Sequence, residues 1–318
     1  MLQGFEPHHD ELYNCLEDVV ACIAKGFERE HMLIYADAWN FAFFPSAGSS
    51  RKRIIGNRVE AGEYNAWVSL EKYHGIKSKC HFSHTMDQQI EILKKELADG
   101  KPTVLWLDGF YVPWTNVYGK LHMKHFLIVV DVDEAREIIH VVDPYWNKNI
   151  NLLPVKNFKL SMAKCITFSL AEKEPELDWR EIIKNAVSKV QASGAFDAMR
   201  MFADEVEHTI DLKAEIEGFE ELKYNSPIFM QLAEVFFRRL NFARLMEYLG
   251  ERNNVLRLVE LSHNMKKVGE GWKKTREVLV KSIESKEQKK KILLFADEVR
   301  TLAMEEKELA HELSLIVG

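Results

Sequence analysis

The sequence predicts an α+β domain followed by an all-α domain, and two observations carry the prediction. Residues 103–171 contain four runs rich in β-branched and aromatic residues, TVLWLDGF, HFLIVVDVD, EIIHVVDPYW and CITFSLA, preceded by segments of helical periodicity. From about Lys173 the composition shifts to long amphipathic helices, with no β-pattern, fixed-period repeat or low-complexity tract. Helices first and then an antiparallel meander is an α+β order. A length of 318 residues suits two domains, drawn here as 1–172 and 173–318.

The first helix lies in HHDELYNCLEDVVACIA, residues 8–24. Leu16, Val19, Val20, Ile23 and Phe27 recur at helical intervals, Asn14 is a good N-cap, and Glu17 follows at capping-box spacing. Cys15 is then the first helical residue, and the helix ends near Gly26. MLIYADAWNFAFFP is a second apolar stretch, running into Pro45, and AGSSRKRIIGN reads as an exposed loop with a basic tip at Arg51, Lys52 and Arg53. EYNAWVSLEKYHGI is a helix ending at Gly75. In DQQIEILKKELADGKP, Ile90, Leu93 and Leu97 share a face, and Gly100 and Pro102 stop the helix. DVDEAREII fits a hairpin turn between the second and third strand-like runs. EKEPEL is a charged, proline-containing linker. Beyond it, Asp178 with Glu181 repeats the capping-box spacing, and Ser226-Pro227 is a cap followed by proline in the first turn. Lys289, Lys290 and Lys291 read as a solvated helix face.

Composition excludes several functions. The apolar fraction of 47% supplies a sizeable core, and a net charge of -6 argues against a dedicated nucleic-acid binder. The 4 cysteines, Cys15, Cys22, Cys80 and Cys165, form no C-x-x-C pair and are too sparse for a disulfide framework. MLQGFEPHHDELYN lacks the basic and apolar regions of a signal peptide, and no uncharged apolar run is long enough to span a bilayer. The expectation is a reduced, cytoplasmic protein that binds neither nucleic acid nor membrane.

Cys15 stands where unpartnered backbone N–H groups and the positive end of a helix dipole meet, and both favour a thiolate. A small apolar residue that happens to fall at a helix start is the alternative. A thiol nucleophile needs a base, and the base an orienting group. KLHMKHFLIVV places His125 at the mouth of a strand, and EIIHVVDP ends the next with Asp143 before Pro144. In an antiparallel hairpin the start of one strand lies beside the end of the next, so His125 and Asp143 become neighbours. Cys15, His125 and Asp143 in that order over helices and then a sheet is the arrangement of papain-like thiol enzymes.

The stretch WLDGFYVPWTNVYGKLHMKHFLIVVDVDEAREIIHVVDPYW resembles the N-terminal domain of the butirosin biosynthesis protein H family. The resemblance rests on Asp108, Tyr111-Val112-Pro113, Tyr118, His122, His125 and Asp143-Pro144. NCLEDVVACIA resembles the family's opening cysteine helix, and AFDAMRMFADEV and FRRLNFARLMEYL its helical C-terminal domain. The sequence departs from the family at VVDVD, where a glycine and an aromatic residue are usual before the acidic turn. The resemblance implies a C39-peptidase-like, papain-related fold. It also implies an acyltransferase that takes an acyl or aminoacyl group from an acyl or peptidyl carrier protein to a small-molecule amine. Cys15 would attack the phosphopantetheine thioester, which arrives on the carrier, so no intrinsic cofactor is expected. His125 would serve as base and Asp143 as its orienting group.

The Cys15 backbone N–H would donate to the oxyanion, with His9 or Asn14 as the added side-chain donor; His8 is the remaining polar group nearby. His122 with Asp108, Tyr111 and Tyr118 would line the acceptor pocket, where a carboxylate suits a cationic amine. The alternative is a turn residue before Gly109 for Asp108 and ordinary core edge for the tyrosines. H-x-x-H can also signal a metal, but no third ligand is evident and none is expected. Two rival readings remain. One is an intracellular cysteine peptidase or amidase with water as acceptor; the other is a non-catalytic interaction protein. The basic tip at 51–53 would dock an acidic carrier or simply be solvated. Apolar stretches such as VFFRRLNF would pack on the first domain or on a second copy of the chain in a homodimer.

Overall fold

The structure, a computed structural model, describes residues 7–45, 54–62, 64–82, 84–147, 149–173 and 175–318. The basic tip at Arg51, Lys52 and Arg53 lies outside the described residues. The chain divides into two units, one of Met1–Ile34 with Asn65–Glu176 and one of Tyr35–Tyr64 with Leu177–Gly318. The linker EKEPEL holds the break at 176/177. Residues 35–64 differ from the single boundary expected at 172/173, because their aromatic side chains pack with the C-terminal helices. Trp39 meets Phe242 at 5.4 Å between ring centroids, Phe41 meets Trp272 at 5.8 Å, and Phe43 meets Phe202 at 5.6 Å.

In chain order the elements begin with α1 (Cys15–Gly26) and, in the second unit, the short antiparallel pair β1 (Ala42–Phe43) and β2 (Val59–Glu60). The first unit resumes with α2 (Ala66–His74), β3 (Ile76–Cys80), α3 (Met86–Ala98), β4 (Thr103–Asp108), β5 (Lys124–Asp133) and β6 (Ile138–Val142). It closes with β7 (Ile150–Pro154), α4 (Val155–Leu160) and β8 (Lys164–Leu170). Among the described residues these strands form one 6-stranded sheet, in the order β3-β8-β4-β5-β6-β7, with every neighbour antiparallel. The architecture is therefore α+β.

The meander runs through β4, β5, β6 and β7, but the CITFSLA run does not extend it. After α4 the chain returns to the far side of β4, where Val104 faces Ile166 and Leu105 faces Cys165. That position buries Cys165 and Ile166. The short β1–β2 pair escapes the sequence reading, as do two strands of this sheet, β3 and β7, and these two are its edges. Each pairs on one side only, and the exposed Lys77 and Lys79 of IKSKC leave little apolar signal. The register shifts between Val129 and Asp131, within the VVDVD stretch, before a turn in which Glu137 takes φ 52°.

On one face of the sheet, Leu105, Leu107, Leu127, Val129, Val141 and Cys165 pack with Leu93 of α3 and Phe158 of α4. Trp67 of α2 lies against Phe126 and Phe168. Burial pushes the Cys165 thiol up to about 12 and the Cys22 thiol up to about 11, so both are inert core groups.

The second unit continues with α5 (Trp179–Ala192), α6 (Ala195–Thr209), α7 (Leu212–Glu215), α8 (Pro227–Arg252), α9 (Leu256–Ser282) and α10 (Gln288–Val317). Asp178 caps α5 through the Arg180 N–H at 2.9 Å, without a reciprocal bond from Glu181 among the described residues. Pro227 starts α8 as expected, but the Ser226 hydroxyl makes no cap bond and is buried without a partner among the described residues. Glu306 of α10 is fully buried. It accepts from the Trp39 indole at 2.6 Å, the Trp272 indole at 2.8 Å, and Arg239 Nε and Nη2 at 3.0 Å each. Arg239 also donates to the Asn40 carbonyl at 2.7 Å, tying the 35–64 segment to α8 and α10. No helix among the described residues is long and apolar enough to cross a membrane.

Candidate active site

The capping box at the start of α1 forms in full. Asn14 Oδ1 accepts from the Leu16 and Glu17 N–H groups at 3.0 Å each, Glu17 Oε2 accepts from the Asn14 N–H at 3.0 Å, and the Asp18 N–H donates to the Asn14 carbonyl at 3.0 Å. Within this first turn the Cys15 N–H alone has no hydrogen-bond partner among the described residues. The Cys15 side chain is half-buried, so thiol and open donor sit together at the positive end of the helix.

His125 stands at the second residue of β5, opposite Leu107, and Asp143 follows the last residue of β6. Asp143 is completely buried and His125 nearly so. His125 Nε2 donates to Asp143 Oδ2 at 2.7 Å. Cys15 also interacts with this ring, whose Nδ1 is the nitrogen not engaged by Asp143. Burial opposes charge on this imidazole, but the bonds to Asp143 and Cys15 outweigh it and raise its pKa to about 10. A proton held on His125 places positive charge beside the Cys15 sulfur, the environment that favours a nucleophilic thiolate. The structure thus brings together the three residues singled out in the sequence.

With that geometry in place, the comparison with known families is informative. Residues 16–144 match the family model described as butirosin biosynthesis protein H, N-terminal. This region of the chain is similar to that family, in line with the resemblance read from the sequence. The matched residues include His125 and Asp143 and begin one position after Cys15. No curated protein matches the chain.

The site holds groups that the sequence reading missed. The Trp114 indole donates to Asp143 Oδ2 at 2.7 Å, the same oxygen that receives His125, while Oδ1 is buried without a partner among the described residues. Nothing in the spacing of YVPWTNVYG announces this contact. Asp18, one turn after Cys15, is buried and accepts from His9 Nδ1 at 2.7 Å and from the Asp10 N–H at 3.0 Å. Burial raises the Asp18 carboxyl to about 6, against the lowering effect of those bonds.

The accessory residues are placed as follows. His9 has Nδ1 committed to Asp18, and its ring meets Tyr145 edge-on at 5.9 Å, two residues past Asp143. Asn14 spends its side-chain oxygen on the cap. Asp108, Tyr111 and His122 do gather. His122 Nδ1 donates to Asp108 Oδ2 at 2.5 Å, His122 stacks on Phe110 at 4.3 Å, and Tyr111 is edge-on to His122 at 6.3 Å. The Tyr118 ring is 47% exposed and makes no ring contact with this group. His122 and His125 therefore engage different carboxylates. No group of three or more His, Cys, Asp or Glu among the described residues is placed to hold a metal ion.

Proposed function

We propose that the chain is a cysteine-dependent acyltransferase that moves an acyl or aminoacyl group from a carrier-protein thioester to an amine. The observation that carries this reading is His125 held between Asp143 and Cys15, with the Cys15 N–H open beside them. The Cys15 sulfur attacks the thioester carbonyl as the thiolate, its proton held on His125, and the oxyanion that forms is received by the Cys15 N–H. The bond to the donor sulfur breaks, and the departing phosphopantetheine thiol takes the proton from His125. One thioester replaces another, so the step is close to thermoneutral.

The bond to Cys15 is one of the causes that hold the His125 proton. Acylation removes it, and the ring gives up its proton more readily. The neutral imidazole then takes a proton from the incoming amine as it attacks the acyl-enzyme. Cys15 departs as the thiolate, and the ion pair is restored. Asp143 keeps the ring oriented throughout. His9, with Nδ1 fixed by Asp18, is the better placed of the two candidate side-chain donors, since the Asn14 oxygen is already in use.

A cysteine on a helix start, a histidine at a strand start and a carboxylate after the next strand follow the order of papain-related enzymes. We assign the first unit to that fold, in its C39-like form. Similarity to an antibiotic-biosynthesis family over residues 16–144 supports a reaction in a natural-product pathway, which we place in the cytoplasm, with phosphopantetheine supplied by the carrier. The test is product analysis with acyl thioesters and a panel of amines. Amide formation that needs Cys15 is the expected result. Free acid as the sole product makes water the acceptor, and the chain a hydrolase.

A further inference from the structure

At the start of β5 a cavity of about 370 Å³ is lined by Phe82, Trp106, Asp108, His122, Lys124 and Lys164, among others; Lys124 and His125 are consecutive in the strand, so their side chains leave opposite faces of the sheet. The position of the cavity follows from the sheet register. Lys164 of β8 pairs with Trp106 of β4, and Lys124 of β5 pairs with Asp108, two residues along β4. Residues paired across antiparallel strands share a face, as do residues two apart along a strand, so both lysines flank the Trp106 ring from opposite neighbours. Lys124 Nζ lies 5.4 Å from the centre of that ring, and Phe82 meets it edge-on at 5.6 Å.

The charges in this cavity are not balanced. Asp108 is fully engaged, accepting from His122 Nδ1 at 2.5 Å, the Phe110 N–H at 3.0 Å and the Met123 N–H at 3.2 Å. Lys124 and Lys164 have no ion-pair partner among the described residues. The open charge is positive, over an aromatic floor, which disfavours a cationic ligand and suits an anion carried on an apolar or aromatic body.

We propose that this cavity is a subsite for an anionic group, a carboxylate or a phosphate, on a ligand of the first unit. Naming a substrate rests on the acyltransferase reading; the anion preference rests on the lining alone. Two sources share the chemistry: the phosphate of a phosphopantetheine arm, and a carboxylate on the acyl group or the acceptor.

The experiment is calorimetric titration of the wild type, Lys124→Met, Lys164→Met and the double variant, with circular dichroism to verify folding. The probes are 4′-phosphopantetheine, pantetheine without the phosphate, and benzoate. The proposal expects a charged probe to bind the wild type and to lose about tenfold or more in affinity in the double variant, with Lys→Arg restoring it. Lysine-dependent binding of 4′-phosphopantetheine but not benzoate identifies the donor arm; the reverse identifies a substrate carboxylate. Unchanged affinity in the double variant, or no binding of either charged probe to the wild type, overturns the proposal. Lysine-dependent binding without acylation of Cys15 leaves the subsite standing and defeats the acyltransferase reading. Acylation without lysine-dependent binding does the opposite.

Discussion

Trp114 and His125 donate to the same oxygen of Asp143, each at 2.7 Å. A carboxylate oxygen fixed by two donors has one orientation, and it passes that orientation to the imidazole. Trp114→Phe keeps an aromatic ring and removes one donor to a charged acceptor, an interaction of about 1.5–3 kcal/mol. We expect Cys15 acylation to slow by about ten- to a hundredfold while the fold is retained, measured as a single-turnover rate alongside circular dichroism. A rate equal to wild type would leave Trp114 as packing only.

The state of His125 can be read directly. Its pKa is raised to about 10, so it should keep its proton from pH 6.5 until near pH 10, and Cys15 is one of the causes. NMR titration of ring-labelled histidine should give a midpoint far above the ordinary value in the wild type, lowered in Cys15→Ala. Because the folded pKa exceeds the unfolded one, stability from this group is full below about pH 6.5 and is lost as the pH rises through about 10.

Asp18 predicts a second pH dependence, in a lower window. Burial lifts its carboxyl from 3.8 to about 6, so the folded chain holds a proton there that the unfolded chain releases earlier. The stability this confers is full below about pH 4 and lost as the pH rises through about 6. Asp18→Asn abolishes that loss. The melting temperature of the variant minus that of the wild type should therefore increase from pH 4 to pH 7, and a flat difference would contradict the assignment.

Glu306 anchors the second unit. Glu306→Ala leaves the buried Arg239 guanidinium without its carboxylate and two indole N–H groups without an acceptor. Breaking a buried pair from one side costs about 3–5 kcal/mol. Urea denaturation followed by the helical circular dichroism signal should move to a correspondingly lower midpoint.

The three candidate site residues were legible because each occupies a position that local rules mark. A capping box locates Cys15, a strand start locates His125, and a strand-ending Asp-Pro locates Asp143. Trp114, Asp18 and the two cavity lysines were not legible, because their contacts depend on loop paths and cross-strand register that no spacing encodes. The same limit explains β8, whose apolar run fixes that it is a strand but not which neighbour it takes. It also explains the 35–64 segment. Its aromatic residues declare burial, while their partners in the helical unit lie far along the chain, as with Trp39 and Glu306.

The most direct measurement is the intact mass of the protein after incubation with acyl thioesters, simple and carrier-bound, for wild type and Cys15→Ala. The account predicts a gain of one acyl group in the wild type and none in the variant, with the buried Cys22 and Cys165 unmodified. No gain from any thioester, or a gain that survives Cys15→Ala, would contradict it.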